Sequence, residues 1–243
     1  MALTPFVRRQ ITAAPIGLII AAVVSFFPLI TAAAPVDAPP TVVELFQSQG
    51  CSSCPPANAN IIAVSERPEL LTLSFGVTYW DQLGWKDTFA TAQFTQRQWD
   101  YAHAFHRKTV FTPQVVINGS ADLVGQNRAE LEDAIKHAPR AMNAPSIENR
   151  SDAVTIGKSI SSGRADVWLV RYDPNIVQVP IARGENTGRT LPHKNVVHEL
   201  LKLGEWSGSE QSYKIPDAAR GGLREAVLVQ LASGGPILTA ARR

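Results

Sequence analysis

Residues 41–64, TVVELFQSQGCSSCPPANANIIAV, decide the fold. Thr41 to Ser48 is short, β-branched and aromatic-rich and stops at Gly50, the pattern of a buried strand. Cys51-Ser52-Ser53-Cys54 follows at once, and Ala57, Ile61 and Val64 then recur at helical spacing. The cysteine pair is therefore predicted where a strand turns into a helix. That position suits a reactive thiol: unpaired amides and the positive end of a helix dipole stabilise a thiolate, lowering its pKa below the free value of about 8.5. Two intervening residues let the second sulfur attack a mixed disulfide formed by the first. Pro55 and Pro56 remove two amide donors, and Pro55 disfavours helical geometry at Cys54. Either the helix begins late, with the prolines in its first turn, or it is locally distorted.

Working outward, Leu70 to Trp80 (LLTLSFGVTYW) reads as a second apolar strand, parallel to the first because a helix connects them. Asp81 to Phe89 is a loop rich in turn residues. Phe94, Tyr101 and Phe105, joined by Ala102, share one face of a helix from Ala92 to Lys108. Thr112-Pro113 leads into a strand, Gln114 to Ile117, and Asn118-Gly119 is a hairpin turn into Leu123-Val124. Asn127 with Glu130 makes a capping box before a helix that buries Leu131, Ala134 and Ile135.

After Pro139 and Pro145 the pattern changes. Val154 to Ile156, Asp166 to Arg171, Ile176 to Ile181 and Ala226 to Leu231 read as strands punctuated by Gly and Pro, which favours a β-sandwich-like unit. Asn195 to Leu203 fits a strand or a short helix, and periodicity does not separate the two. Arg183 to His198 concentrates Arg183, Glu185, Arg189, His193 and His198, either as an anion or partner site or as a charged turn in which Glu185 and Arg189 pair.

The chain has 243 residues and is 45% hydrophobic, enough for a globular core and too apolar for general disorder. A net charge of +2 excludes a polybasic surface for nucleic acid. No G-x-S-x-G elbow and no G-x-x-x-x-G-K loop occur, which sets aside a serine hydrolase and a nucleotide-binding P-loop. Cys51 and Cys54 are the whole thiol inventory, so a disulfide-dense scaffold and a four-thiolate zinc site are excluded. Arg8 and Arg9 precede a run from Ile11 to Ala34 without Asp, Glu, Lys or Arg, ending in small residues. That pattern predicts a signal peptide over residues 1–34, cut after Ala33, and a periplasmic or secreted body with no stable membrane insertion. The run approaches the roughly 20 residues that span a bilayer, but Pro15, Pro28 and the Ala-rich end favour cleavage. The arginine pair also fits twin-arginine export.

A strand, a CxxC at a helix start, a Thr-Pro before a hairpin and a final helix together resemble the thioredoxin fold. More narrowly, QGCSSCPPA, YWDQLGWKD, VFTPQVVING and GENTGRTLPHKNVV are similar to the bacterial secreted family labelled DUF1223, over Thr41 to Ala241. The resemblance implies a thioredoxin-like domain over residues 41–140; with the strand pattern that follows it, the chain reads as an α/β protein whose second domain, residues 146–243, is mainly β and sandwich-like. It also implies a cis Pro113 lying against the CxxC, with the Thr112 backbone offered to a substrate. The Ser-Ser centre is neither the Gly-Pro of thioredoxin nor the Pro-His of the strong oxidants, so the resemblance does not give the direction of exchange.

Within that frame Cys51, on the strand side and the more exposed, is the expected attacking thiol, with Cys54 resolving. The competing readings are an inert disulfide and a half-site for metal completed by His103 and His106; helical spacing turns His103 away from the core and into solvent. Glu44 has two open readings. Buried, it would relay a proton to the resolving thiol; at a strand edge, it would simply be solvated. Trp80 and Trp85, clustered with Tyr79 and Asp81, either wall a peptide groove or pack. The expected function is thiol–disulfide exchange on protein or small thiols and disulfides, with no cofactor and with a redox-recycling partner. The alternative is a non-catalytic interaction module, or one that binds a soft metal such as Cu(I).

Overall fold

In the computed structural model β1 (Thr41–Gln47) is buried along its whole length, as a strand covered on both faces should be. Residues 1–3, 38–160 and 163–243 are described, so the expected signal lies outside the described residues. Helix α1 (Cys54–Val64) starts late, with Pro55 and Pro56 in its first turn, where the missing amides break no intrahelical bond. Strand β2 (Leu70–Gly76) pairs parallel with β1, Thr41 opposite Leu70. It ends at Gly76, short of Trp80, because the chain there meets another backbone: a Cβ on Gly76 would lie 2.8 Å from the Ala90 amide. Thr78–Leu83 instead forms a short 3-10 helix.

Helix α2 (Ala92–Ala104) is capped by the Thr91 hydroxyl, which accepts from the Phe94 amide, and it stops before His106 adopts a left-handed φ of 56°. Strand β3 (Gln114–Ile117) runs antiparallel to β1 and pairs with β4 (Ala121–Leu123). Asn118 and Gly119, at φ 48° and 61°, make the left-handed turn between them. Helix α3 (Arg128–Lys136) is capped by Asn127, whose Oδ1 accepts from the Ala129 and Glu130 amides.

The later strands are β5 (Ile147–Asn149), β6 (Ala153–Ile156), β7 (Ala165–Asp173), β8 (Val177–Pro180), β9 (Thr190–His193), β10 (Val196–Trp206), β11 (Gln211–Lys214), β12 (Arg224–Leu231) and β13 (Ile237–Arg242). The open reading of Asn195–Leu203 resolves as strand, because β10 has partners on both sides. The main sheet runs β13-β12-β7-β10-β2-β1-β3-β4. Strands from both sides of the Pro139–Pro145 link therefore share one sheet, and Asp37–Arg243 is one compact unit. The separate sandwich expected after residue 146 is replaced by an extension of that sheet, with β11-β6-β5 stacked on it and β8-β9 forming a two-stranded sheet of its own.

Burial follows the pleat. Val42 and Phe46 of β1 join Leu73, Phe75, Phe94 and Tyr101 on the face under α2, together with Val170, Val197 and Leu228 from the later strands. Val43 and Leu45 point the other way, onto Ala57 and Ile61 of α1 and Leu131 of α3. The same face of the extension packs Val167, Leu169, Val227 and Val229 against Val154, Ile156 and Tyr213 of the small sheet.

Candidate functional site

Strand β1 ends by delivering Ser48-Gln49-Gly50 into a tight turn that carries Cys51. The Cys51 amide donates to the Ser48 carbonyl (3.1 Å) and the Cys54 amide to the Cys51 carbonyl (3.2 Å). Cys51 and Cys54 are joined as a disulfide, their Cα atoms 5.5 Å apart. The turn is braced from beneath by the loop after β2. Asp87 Oδ2 accepts the Gln49 amide (2.7 Å), Trp85 Nε1 donates to Gln49 Oε1 (2.9 Å), and Gln49 Nε2 donates to Thr88 Oγ1 (2.9 Å). Asp87 is buried, which pushes its carboxyl pKa up, while the amides of Gln49 and Phe89 pull it back.

The Thr112–Pro113 turn lies against the other side of the cysteine pair, and its peptide bond is cis. Ser53 Oγ donates to the Thr112 carbonyl (3.3 Å) and lies 3.2 Å from Cys51 Sγ; Trp80 Nε1 donates to Thr112 Oγ1 (2.8 Å). The structure thus brings Cys51, Cys54, Thr112, Pro113, Trp80 and Trp85 together. Both tryptophans are half-buried and use their indole N–H groups to brace the turn.

A third wall comes from the β8–β9 connection. Glu185 Oε2 accepts from the Ser52 amide (3.2 Å) and the Ser52 hydroxyl (2.6 Å). Asn186 Nδ2 donates to the carbonyls of Gln49 and Cys51, each at 2.9 Å, and Arg189 holds Asn186 Oδ1 (2.8 Å). Glu185 and Arg189, which the charged-turn reading paired with each other, are instead engaged with Ser52 and Asn186. Next along, His193 is 2% exposed and its Nδ1 pairs with Gln47 Nε2 (2.9 Å), while burial pushes its pKa down to about 4. Asn58, one turn after Cys54, donates to the Pro192 carbonyl. Gln49, Asp87 and Asn186 escaped the sequence reading. Only the glycines flanking Asn186, Gly184 and Gly188, both in left-handed conformation, marked a built turn there.

Two expectations are corrected. Cys51 is not the exposed sulfur: it is 0% exposed and Cys54 2%, whereas Ser52 and Ser53 between them face solvent. Glu44 is buried, and it is partnered. Arg97 Nε and Nη2 donate to its two oxygens at 2.8 and 3.2 Å, and the Tyr101 hydroxyl donates to Oε2. It faces α2, on the side of the sheet opposite to α1, so its carboxylate serves the core ion pair rather than the Cys54 sulfur. His103 is exposed on α2 as its spacing required, and no group of three His, Cys, Asp or Glu among the described residues could hold a metal ion.

These features define a mixed α/β protein with a disulfide at a strand-to-helix turn. The chain belongs to the DUF1223 family, described as a protein of unknown function, whose model matches residues 42–230. The crystal structure of protein AGR_C_4864 from Agrobacterium tumefaciens is similar to it, with 31% identity and a TM-score of 0.70, covering 84% of this chain and 94% of that one. HBP35 of Porphyromonas gingivalis shares the fold at 11% identity and a TM-score of 0.54, covering 85% of this chain and 75% of that one. Comparison with the curated proteins found no match.

Proposed function

We propose that this is an exported thiol–disulfide oxidoreductase with a thioredoxin-like N-terminal part, acting on protein or small-molecule thiols and disulfides. The observation that carries the reading is the contact of the Cys51–Cys54 turn with the Thr112–Pro113 turn through Ser53. A cysteine pair set between a helix start and a cis-proline turn can exchange with a peptide lying along that turn. Starting from the dithiol, the Cys51 thiolate attacks one sulfur of a substrate disulfide and expels the other as thiolate. Cys54, as thiolate, then attacks Cys51 and releases the second substrate thiol. Two electrons pass from the cysteine pair to the substrate, and the two cysteine protons end on the two product thiols. A second dithiol must then reduce the pair again. The basic start and apolar run of residues 1–34 support export, where such exchange proceeds.

The burial of Cys51 favours a second reading, a closed disulfide in a non-catalytic interaction module. Trapping separates the two. With Cys54→Ser, Cys51 should accumulate mixed disulfides with glutathione and with protein thiols, and the native pair should equilibrate with glutathione buffers. A pair that never exchanges under native conditions leaves the interaction module standing.

A further inference from the structure

The walls of the turn bear unequally on the electrons of the cysteine pair. A strand-to-helix turn ordinarily acidifies its first cysteine with free amides. Here those donors are scarce. Pro55 and Pro56 carry no N–H, the Cys54 amide is bonded to the Cys51 carbonyl, and the Ser52 amide is bonded to Glu185. What the β8–β9 connection adds is a carboxylate on Ser52, the residue that follows Cys51. Ser52, through its hydroxyl and then its amide, holds the Glu185 pKa below the ordinary carboxylate range, so Glu185 is charged at neutral pH. Arg189, the nearest cation along that loop with a fixed partner, points its N–H at Asn186 instead. Asp87 adds a second carboxyl beneath the turn, on the Gln49 amide.

A negative charge beside Cys51 repels a thiolate and leaves a neutral disulfide untouched. It therefore raises the free energy of the reduced, ionised pair alone. We infer that Glu185 is a positioning residue which, through its hold on Ser52, biases the Cys51–Cys54 pair towards the disulfide and makes its dithiol form an electron donor. The inference deepens the proposed oxidoreductase reading and rests on it. The substrate class is a disulfide, reduced to two thiols as the pair closes. The reductant that reopens the pair is a second dithiol.

Glu185→Gln keeps an oxygen to accept from Ser52 and removes the charge, so it separates electrostatics from loop anchoring. In the full chain equilibrated with glutathione redox buffers at about pH 9, where an unacidified thiol ionises, Glu185→Gln should make the pair roughly threefold to tenfold easier to reduce, tenfold being about 30 mV for two electrons. In a Cys54→Ser background the same change should lower the pH at which Cys51 reacts half-maximally with an alkylating reagent, and Glu185→Asp should restore both readouts. An exchanging pair whose equilibrium and Cys51 titration are the same with Glu and Gln overturns the role of Glu185 and leaves the oxidoreductase reading intact. A native pair more oxidising than the glutathione couple overturns the direction. A pair that does not exchange at all removes both readings together.

Discussion

His193 carries a pH signature that a solvated histidine would lack. Its ring is buried against Gln47 and Phe89, which pushes the pKa down to about 4, whereas an unfolded histidine titrates near 6.5. The unfolded chain thus takes up the proton first as pH falls. Stability from the neutral ring is full above about pH 6.5 and drains away towards pH 4, by about 3 kcal/mol in all. His198 is displaced downward by burial and acts in the same sense. Asp87, displaced upward by burial, acts in the opposite sense, losing stability as pH rises through its folded pKa. Urea unfolding measured between pH 4 and 7 should therefore show falling stability in acid, and His193→Gln should remove most of the slope. A slope that survives the substitution would exclude His193 as its source. Residue type alone marked His193 as one of several charges near a turn, and its burial arises from packing on a strand end 146 residues earlier. Glu44 teaches the same lesson: its two readings were separable only by knowing that Arg97, 53 residues on, faces it.

At the scale of elements, the β8–β9 connection works as a clamp. Asn186 donates to two carbonyls in the cysteine turn from a fully buried position: that of Gln49, and that of Cys51, which also accepts the Cys54 amide. Asn186→Ala would leave the Gln49 carbonyl bare and the Cys51 carbonyl with the Cys54 amide alone, and should cost about 1–3 kcal/mol, since an unsatisfied buried carbonyl loses its full desolvation penalty. With the clamp gone, the Cys51–Cys54 disulfide should be reduced faster by dithiothreitol under native conditions. Thiol release and thermal melting followed side by side check both effects; an unchanged reduction rate would mean that Asn186 does not control access. Short-range elements were legible because their signals are local: the strand before the cysteines, the late helix start, the Asn118-Gly119 turn and the Asn127 cap all appear where spacing put them. Strand ends were less so. Gly76 closes β2 early because of a loop that arrives from outside the strand.

Taken whole, the molecule joins its two halves along β2 and β10. The joint has one register pair, Val196 opposite Ser74, with the Ser74 amide donating to the Asn195 carbonyl (2.9 Å) and Asn195 Nδ2 to Thr72 Oγ1 (2.7 Å). It is reinforced by the core under α2, which mixes Phe75, Phe94 and Tyr101 with Val170, Val197 and Leu228, and by the Ile237 amide on the Asn118 carbonyl (2.8 Å). A fragment ending at residue 145 would bare half of that core, so it should not melt cooperatively or stay soluble at concentrations where the full chain does. A cooperative calorimetric transition for the fragment would show that the first half stands alone. The change of pattern at Pro139–Pro145 suggested two domains because apolar periodicity reports which residues are buried, not against what. Only pairing between distant strands carries the latter, and no local window contains it. One temporal consequence follows from where the walls of the cysteine turn come from. The two sulfurs are three residues apart, whereas Asn186 emerges 135 residues after Cys51. In a nascent chain the sulfurs can meet an oxidant long before their cover exists. The bond can thus be made in the open and only afterwards shut in by a later stretch of its own polypeptide.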